Sequence, residues 1–312
     1  MDITVIIPTH NRSELLRRTL QGFHEQSSSE LEWELIVVSD GSTDSTDQIV
    51  MDFESHLPLK YFRQQKSGVS CARNLGLREA QSPIVLFLDD DVIPGPHLIS
   101  EHVRFHTEQP RLESVLLGYV TWFAEVACTP FMHWYGEFGG LFGYSLLKDD
   151  QQGDPRYLYT CNVSFKTEFL RRNNGFNESL SVLEDHELGY RLKKDGMKMY
   201  FRRVALGYHN QSFTFAQACR RLERYSGGLP AFCLTEAGQV MVRRRARLGY
   251  SLAEMAIRIV APLLSLLLPL MDSSIRFPNA TYRLFYWYYG TYLAFWSRAM
   301  RPETGKLKEF TP

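Results

Sequence analysis

An alternation restricts this chain more than any other feature. Short apolar or β-branched runs at 3–7 (ITVII), 34–39 (ELIVVS), 59–63 (LKYFR) and 84–88 (IVLFL) read as buried strands. Between them lie segments with helical spacing at 13–23, through Ile49 and Val50, and at 68–80. Such an order predicts an α/β fold with a mostly parallel sheet flanked by helices and right-handed crossovers. Ligands of these sheets bind beyond the carboxyl ends of the strands, which is where the polar clusters 8–12 (PTHNR), 40–44 (DGSTD) and 89–91 (DDD) fall.

The last cluster carries the most chemistry. Asp89, Asp90 and Asp91 follow directly on an apolar run, and adjacent carboxylates raise one another's pKa unless a cation is shared. A divalent metal would complete them; a solvated acidic turn capping the next helix is the alternative. Lys plus Arg number 35 against 35 Asp plus Glu, so no global field draws the chain to nucleic acid. The five cysteines are odd in number and show no CxxC spacing, which predicts thiols in a reducing compartment rather than disulfides or a zinc site. The chain enters its first strand with no basic and apolar leader, which predicts a cytoplasmic protein.

The runs ITVIIPTHNR (3–12), VVSDGSTDST (37–46), GVSCARNLGL (68–77), FLDDD (87–91) and LEDHELGYRL (183–192) resemble, in order, the motifs of the family 2 glycosyltransferases of the GT-A fold. The resemblance implies a GT-A, Rossmann-like catalytic domain over 1–212, with a nucleotide-binding half to about 120 and an acceptor half from about 159. It implies inverting transfer from a nucleotide-diphospho-sugar, UDP-linked, to a hydroxyl of a glycan or lipid-linked acceptor. Pro8, Thr9 and Arg12 then lie beside the base. Asp40 accepts a hydrogen bond from a base N–H, helix capping being its alternative role. Ser39 stands where the family often has a second acid, which leaves the base open. Arg73 approaches base or diphosphate, where a planar guanidinium suits phosphate.

Asp89 and Asp91 correspond to a DxD pair, with Asp90 and Asp91 as the other register, so Asp91 is the metal ligand common to both. The earlier acids reach ribose or sugar hydroxyls. His209 adds an imidazole to the metal shell, which Mn²⁺ tolerates more readily than Mg²⁺. Asn162, in a strand expected over 157–165, lies near donor sugar or acceptor. Asp185 is the general base and Glu184 its support, at a helix N-terminus that favours an ionised carboxylate.

Aromatic residues interleaved with glycines over 121–158 predict an acceptor platform or lid, or else a packed insert. The remainder, 213–312, reads as helical and aromatic-rich. Its basic cluster at 243–247, broken apolar run at 259–271 and aromatic block at 282–296 predict a peripheral contact with the inner face of the plasma membrane. A helical subdomain or a homo-oligomer contact is the alternative. A nucleotidyltransferase would also use such a sheet, but it carries a Gly-rich loop where this chain has Pro8-Thr9-His10-Asn11. Asp91 and Asp185 together count against a silent nucleotide-sugar-binding scaffold.

Overall fold

The computed structural model describes residues 1–26, 31–246 and 268–286. The chain divides into two compact units, Met1–Val126 with Leu147–Gln211, and Ala127–Leu146 with Ser212–Pro312.

The first unit opens with β1 (Ile3–Thr9), α1 (Ser13–Gly22), β2 (Trp33–Asp40), α2 (Thr46–Glu54), β3 (Leu59–Gln64), α3 (Val69–Glu79) and β4 (Ile84–Leu88). It continues with β5 (Val92–Pro94), α4 (Leu98–Glu108) and β6 (Ser114–Trp122). The second unit contributes α5 (Pro130–Glu137) before β7 (Gln151–Gln152), β8 (Asn162–Lys166), α6 (Thr167–Arg172), α7 (Glu184–Lys194) and β9 (Lys198–His209) complete the first.

One sheet of nine strands results, in the order β3-β2-β1-β4-β8-β6-β9-β5, with β7 also on β9. Strands β1 to β4 are parallel neighbours, β6 and β9 share their direction, and β5, β7 and β8 oppose it. The expected α/β, mostly parallel architecture is therefore present. Every residue of β1 and β4 is buried, as strands covered on both faces require.

Two strand boundaries differ from expectation for local reasons. Pro8 does not end β1, because pairing with β4 stops at Ile6; beyond it β1 has a neighbour only in β2, where a missing N–H is tolerated. The strand expected over 157–165 starts only at Asn162, since Asp154 accepts from the Arg156 N–H and turns Pro155–Tyr157 into a 3₁₀ segment.

The second unit is built on aromatic contacts. Phe131 stacks on Tyr135 with centroids 5.3 Å apart and meets Phe215 edge-on at 5.2 Å, and Trp134 stacks on Tyr282 at 5.8 Å. Its long helix α8 (Phe215–Cys233) begins at a capping box formed by Thr214 and Gln217. Helix α9 (Glu236–Ala246) and two short helices, Leu268–Met271 and Asn279–Tyr286, follow.

The aromatic stretch is thus divided differently from expectation: residues 127–146 belong with the C-terminal unit, where Phe131, Trp134, Tyr135, Phe142 and Tyr144 are buried core. Tyr282, Phe285 and Tyr286, expected at a lipid boundary, are buried as well. The rest of that block, 287–296, and the stretch 247–267 lie outside the described residues. Among the described residues no helix is long and apolar enough to cross a membrane.

Candidate active site

The loops after β1, β2 and β4 are tied to one another at the carboxyl end of the sheet. Asn11, in the left-handed region at φ 52°, donates its N–H to Ser42 Oγ at 3.1 Å and accepts from the Thr43 N–H at 2.7 Å. Asn tolerates that conformation better than most residues. Gly41 needs it too, at φ 70°, and the Lys66 N atom would lie 2.8 Å from any Cβ there.

Asp40, buried at the end of β2, accepts from Gln64 Nε2 and the Ser67 N–H, both at 2.7 Å, and from the Gly68 N–H at 2.9 Å. Its carboxylate therefore serves the N-terminus of α3 in this structure. It braces the turn that leads into α3, while α2 is opened by Asp44, which accepts from the Thr46 N–H.

The three acids after β4 divide between two arginines. Asp89, 36 % exposed, meets Arg73 Nη2 at 3.2 Å. Asp90 is buried, accepts from Thr9 Oγ1 at 2.8 Å and pairs with Arg12 Nη1 at 3.0 Å. Asp91 pairs with the other nitrogen of the Arg12 fork, and its Oδ2 lies 3.7 Å from His209 Nε2. Two arginines thus supply the cations that the sequence argument sought in a shared metal. Burial pushes the Asp90 carboxyl up to about 7 against the pull of Arg12. Burial works to lower the Arg12 pKa, and Asp90 and Asp91 together raise it.

Arg73 is almost fully buried and joins the acid cluster to α7. Its Nη1 donates to Glu184 Oε1 at 2.8 Å, and the guanidinium lies over the Phe176 ring at 5.4 Å from its centroid. Both arms of its fork are engaged by carboxylates rather than open toward a base or diphosphate.

Glu184 and Asp185 are the first two residues of α7, whose N-cap, Leu183, is itself left-handed at φ 58°. That conformation is costly for a branched side chain and occurs here where the chain must turn two acids into one site. Their environments separate their acidities. Burial raises Glu184, Asp185 adds to the rise, and Arg73 opposes it. For Asp185 burial also acts upward, but it is outweighed by His186, whose N–H donates to Asp185 Oδ1 at 2.8 Å and whose Nδ1 lies 3.1 Å from the same oxygen. The net effect lowers Asp185. Burial works to lower His186 in turn, and Asp185 outweighs it and raises the imidazole. His186 carries none of the site roles expected from the sequence, where its one signal is its place directly after a helix-opening Asp.

Asn162 is not brought to this site. It is paired in register with Leu88, but its side chain is fully buried elsewhere, donating to Tyr119 O at 3.2 Å and Ala205 O at 2.9 Å and facing His102 Nε2 at 2.9 Å. It fills the register shift at Gly118/Tyr119 between β6 and β9, where a Cβ on Gly118 would sit 2.3 Å from the Asn162 amide. Pro8 is a buried strand residue opposite Val38, directly before Thr9 and the loop that carries Arg12.

Among the described residues no three His, Cys, Asp or Glu side chains gather as a ready metal site. Asp91 and His209 nevertheless form a carboxylate and imidazole pair at one point, and ions such as Mn²⁺ or Mg²⁺ are commonly held by one or two protein ligands, with substrate phosphates and water completing the shell. The residues fit such an ion.

The profile described as glycosyl transferase family 2 matches residues 4–153, and that described as glycosyl transferase family group 2 matches residues 84–298. Validoxylamine A glucosyltransferase of Streptomyces hygroscopicus subsp. limoneus is 29 % identical over 239 residues, covering 66 % of this chain and 51 % of that protein. The chain thus spans about half the length of that curated relative. In fold it is similar to the mannosyltransferase PcManGT of Pyrobaculum calidifontis, solved with GDP-Man and Mn²⁺, at TM-score 0.61 and 20 % identity over 92 % of this chain and 84 % of that one. It is also similar to S. aureus TarS 1–349 in complex with UDP-GlcNAc, at TM-score 0.58 and 17 % identity over 98 % and 92 %. With a GT-A-like sheet, its motifs on the loops at the sheet's carboxyl edge, and a family profile spanning most of its length, the chain belongs to the family 2 glycosyltransferases.

Proposed function

We propose that the protein is an inverting glycosyltransferase that moves a sugar from a UDP-sugar to an acceptor hydroxyl, with Asp185 as general base. The observation that carries this reading is the different partnering of two neighbouring carboxyls at the head of α7, Glu184 by Arg73 and Asp185 by His186. Burial acts upward on Asp185 and His186 outweighs it to lower the acid, while burial and Asp185 raise Glu184, which accepts from Arg73. Environments that push two acids apart assign them different roles.

In this reading Asp185 takes the proton from the acceptor hydroxyl as it attacks, and Glu184, through Arg73, keeps Asp89 turned toward the sugar hydroxyls. Thr9 and Arg12 hold Asp90 and Asp91 in place beside the base-binding loop, and Asp40 and Pro8 shape the base pocket. Asp91 and His209 would hold Mn²⁺ or Mg²⁺, which when bound supplies positive charge to the departing nucleoside diphosphate. The GDP-Man and Mn²⁺ bound by one structural neighbour and the UDP-GlcNAc bound by another support a nucleotide-sugar donor.

A glycan or lipid-linked acceptor is proposed, met at the inner membrane face through residues 243–296. Exposed Leu270, Ile275 and Leu284 support such a peripheral contact. A panel of nucleotide sugars assayed with Mn²⁺ tests the whole reading: wild type should turn over one donor, with Asp91→Ala inactive and Asp185→Asn slowed by ~10²–10⁴. Full activity in Asp185→Asn would refute the assignment of the base.

A further inference from the structure

Arg221 of α8 stands apart from the other inward-facing arginines. Arg12, Arg73, Arg191 and Arg202 each meet at least one carboxylate. Arg221 meets only phenols. Its Nε donates to Tyr225 Oη at 2.8 Å, one helical turn on, and its guanidinium carbon lies 5.5 Å from the Tyr225 ring centroid.

Tyr135 of α5 and Tyr286 are the other groups acting on it electrostatically. These two hydroxyls are hydrogen-bonded to each other, and Tyr286 Oη donates to Gly140 O at 3.2 Å. Burial pushes both phenols above their ordinary pKa, so neither supplies a negative charge at neutral pH. Burial works to lower the Arg221 pKa, the three phenols outweigh it and raise it, and the guanidinium stays charged. Among the described residues its two Nη groups have no hydrogen-bond partner.

We infer that Arg221 and Tyr225 form a binding site for a phosphate group, built from residues of the second unit alone. A guanidinium fork offers two parallel N–H donors to two oxygens of one oxyanion. The Tyr225 hydroxyl accepts from Arg221 Nε and so keeps its own proton to donate to a third oxygen. A tetrahedral phosphate presents that third oxygen in a position a planar carboxylate lacks. Tyr135 and Tyr286 act on the same guanidinium and are joined to each other, and Tyr286 is anchored by donating to Gly140 O. A phosphate of this kind can come from a soluble phosphorylated acceptor or from a lipid headgroup. The site does not depend on the proposed reaction, because none of its residues belongs to the first unit.

The test uses the full-length protein with its donor site blocked by saturating UDP. Inorganic phosphate is titrated by calorimetry at low ionic strength, with acetate as the planar control. In parallel, sedimentation with phosphatidylglycerol vesicles is compared with phosphatidylcholine alone. Wild type is expected to bind phosphate saturably and at least ten-fold more tightly than acetate. Arg221→Gln should weaken phosphate at least ten-fold and Tyr225→Phe several-fold, while Arg224→Gln, an exposed neighbour on the same helix, should change nothing. Loss of vesicle binding in Arg221→Gln identifies a headgroup as the source; retained vesicle binding with lost phosphate binding identifies a soluble one. Phosphate affinity unchanged in both Arg221→Gln and Tyr225→Phe, or equal affinity for acetate, overturns the proposal. Should Arg221→Gln fail to fold by circular dichroism, Tyr225→Phe and Arg221→Lys carry the same comparison.

Discussion

Arg73 Nη1 donates to Glu184 Oε1 at 2.8 Å while its Nη2 reaches Asp89 Oδ1 at 3.2 Å, so one buried guanidinium on α3 couples the end of β4 to the first turn of α7. Removing it leaves two acids without their cation. Arg73→Ala should destabilise the fold by about 3–5 kcal/mol, the range for breaking a buried pair from one side. Arg73→Lys keeps the charge but not the fork, and should recover part of the stability and less of the transfer rate. Urea denaturation alongside a transfer assay checks both.

Asp185→Asn should lower the transfer rate by ~10²–10⁴ and leave UDP affinity within two-fold of about the wild-type value. The variant keeps the shape of the side chain and loses only its basicity. Isothermal titration with UDP beside the turnover assay separates the two effects.

With Asp185 as the proposed base, His186 should set the acid limb of the pH profile. It lowers Asp185, so the ionised base persists as pH falls until that depressed value is reached. In His186→Ala the Asp185 pKa should rise, and kcat/KM should therefore begin to fall at a higher pH than in wild type. A pH–rate profile for kcat/KM is the measurement; an acid limb that does not move would leave His186 as a helix-surface residue.

Asp91→Ala and His209→Ala should differ. The first should abolish metal-dependent turnover, and the second should weaken Mn²⁺ more than Mg²⁺, because imidazole favours the softer ion. Paramagnetic resonance of Mn²⁺ in the presence of UDP reads the binding directly.

Fold stability should fall in acid through two buried histidines of α4. His102 is pushed down to about 4 by burial, and His106 well below its ordinary value, chiefly by burial with Lys166 adding to it. Ser164 Oγ lies 2.7 Å from His102 Nδ1 and 2.9 Å from His106 Nε2, so both rings sit neutral in one network. In the unfolded chain each takes up a proton near pH 6.5, so stability is full above about that pH and declines as pH drops from there toward 4. His102 alone accounts for about 3 kcal/mol of that decline. Denaturant midpoints between pH 8 and pH 4.5 check the slope, which His102→Gln should reduce.

Much of the site was legible because its signals are local. The strand endings at Thr9, Asp40 and Leu88 follow from short apolar runs that meet polar clusters, and parallel topology then carries those endings to one edge. Helix α7 was readable from its spacing, together with the acids at its head. Asn162 was not, because a polar residue at a strand start reads alike whether it faces a ligand or a bulge. Only the register shift between β6 and β9, set by residues far along the chain, turned its amide inward.

The sequence by itself determined the order of strands and helices, the family, and which loops bear carboxylates, since periodicity and motif spacing act over a few residues. Tertiary structure decided how those carboxylates are neutralised. Which acid faces which cation depends on contacts such as Arg12 with Asp91 and Arg73 with Glu184, between residues separated by 79 and 111 positions, and Coulomb attraction at that range exists only once the sheet has brought the two ends together.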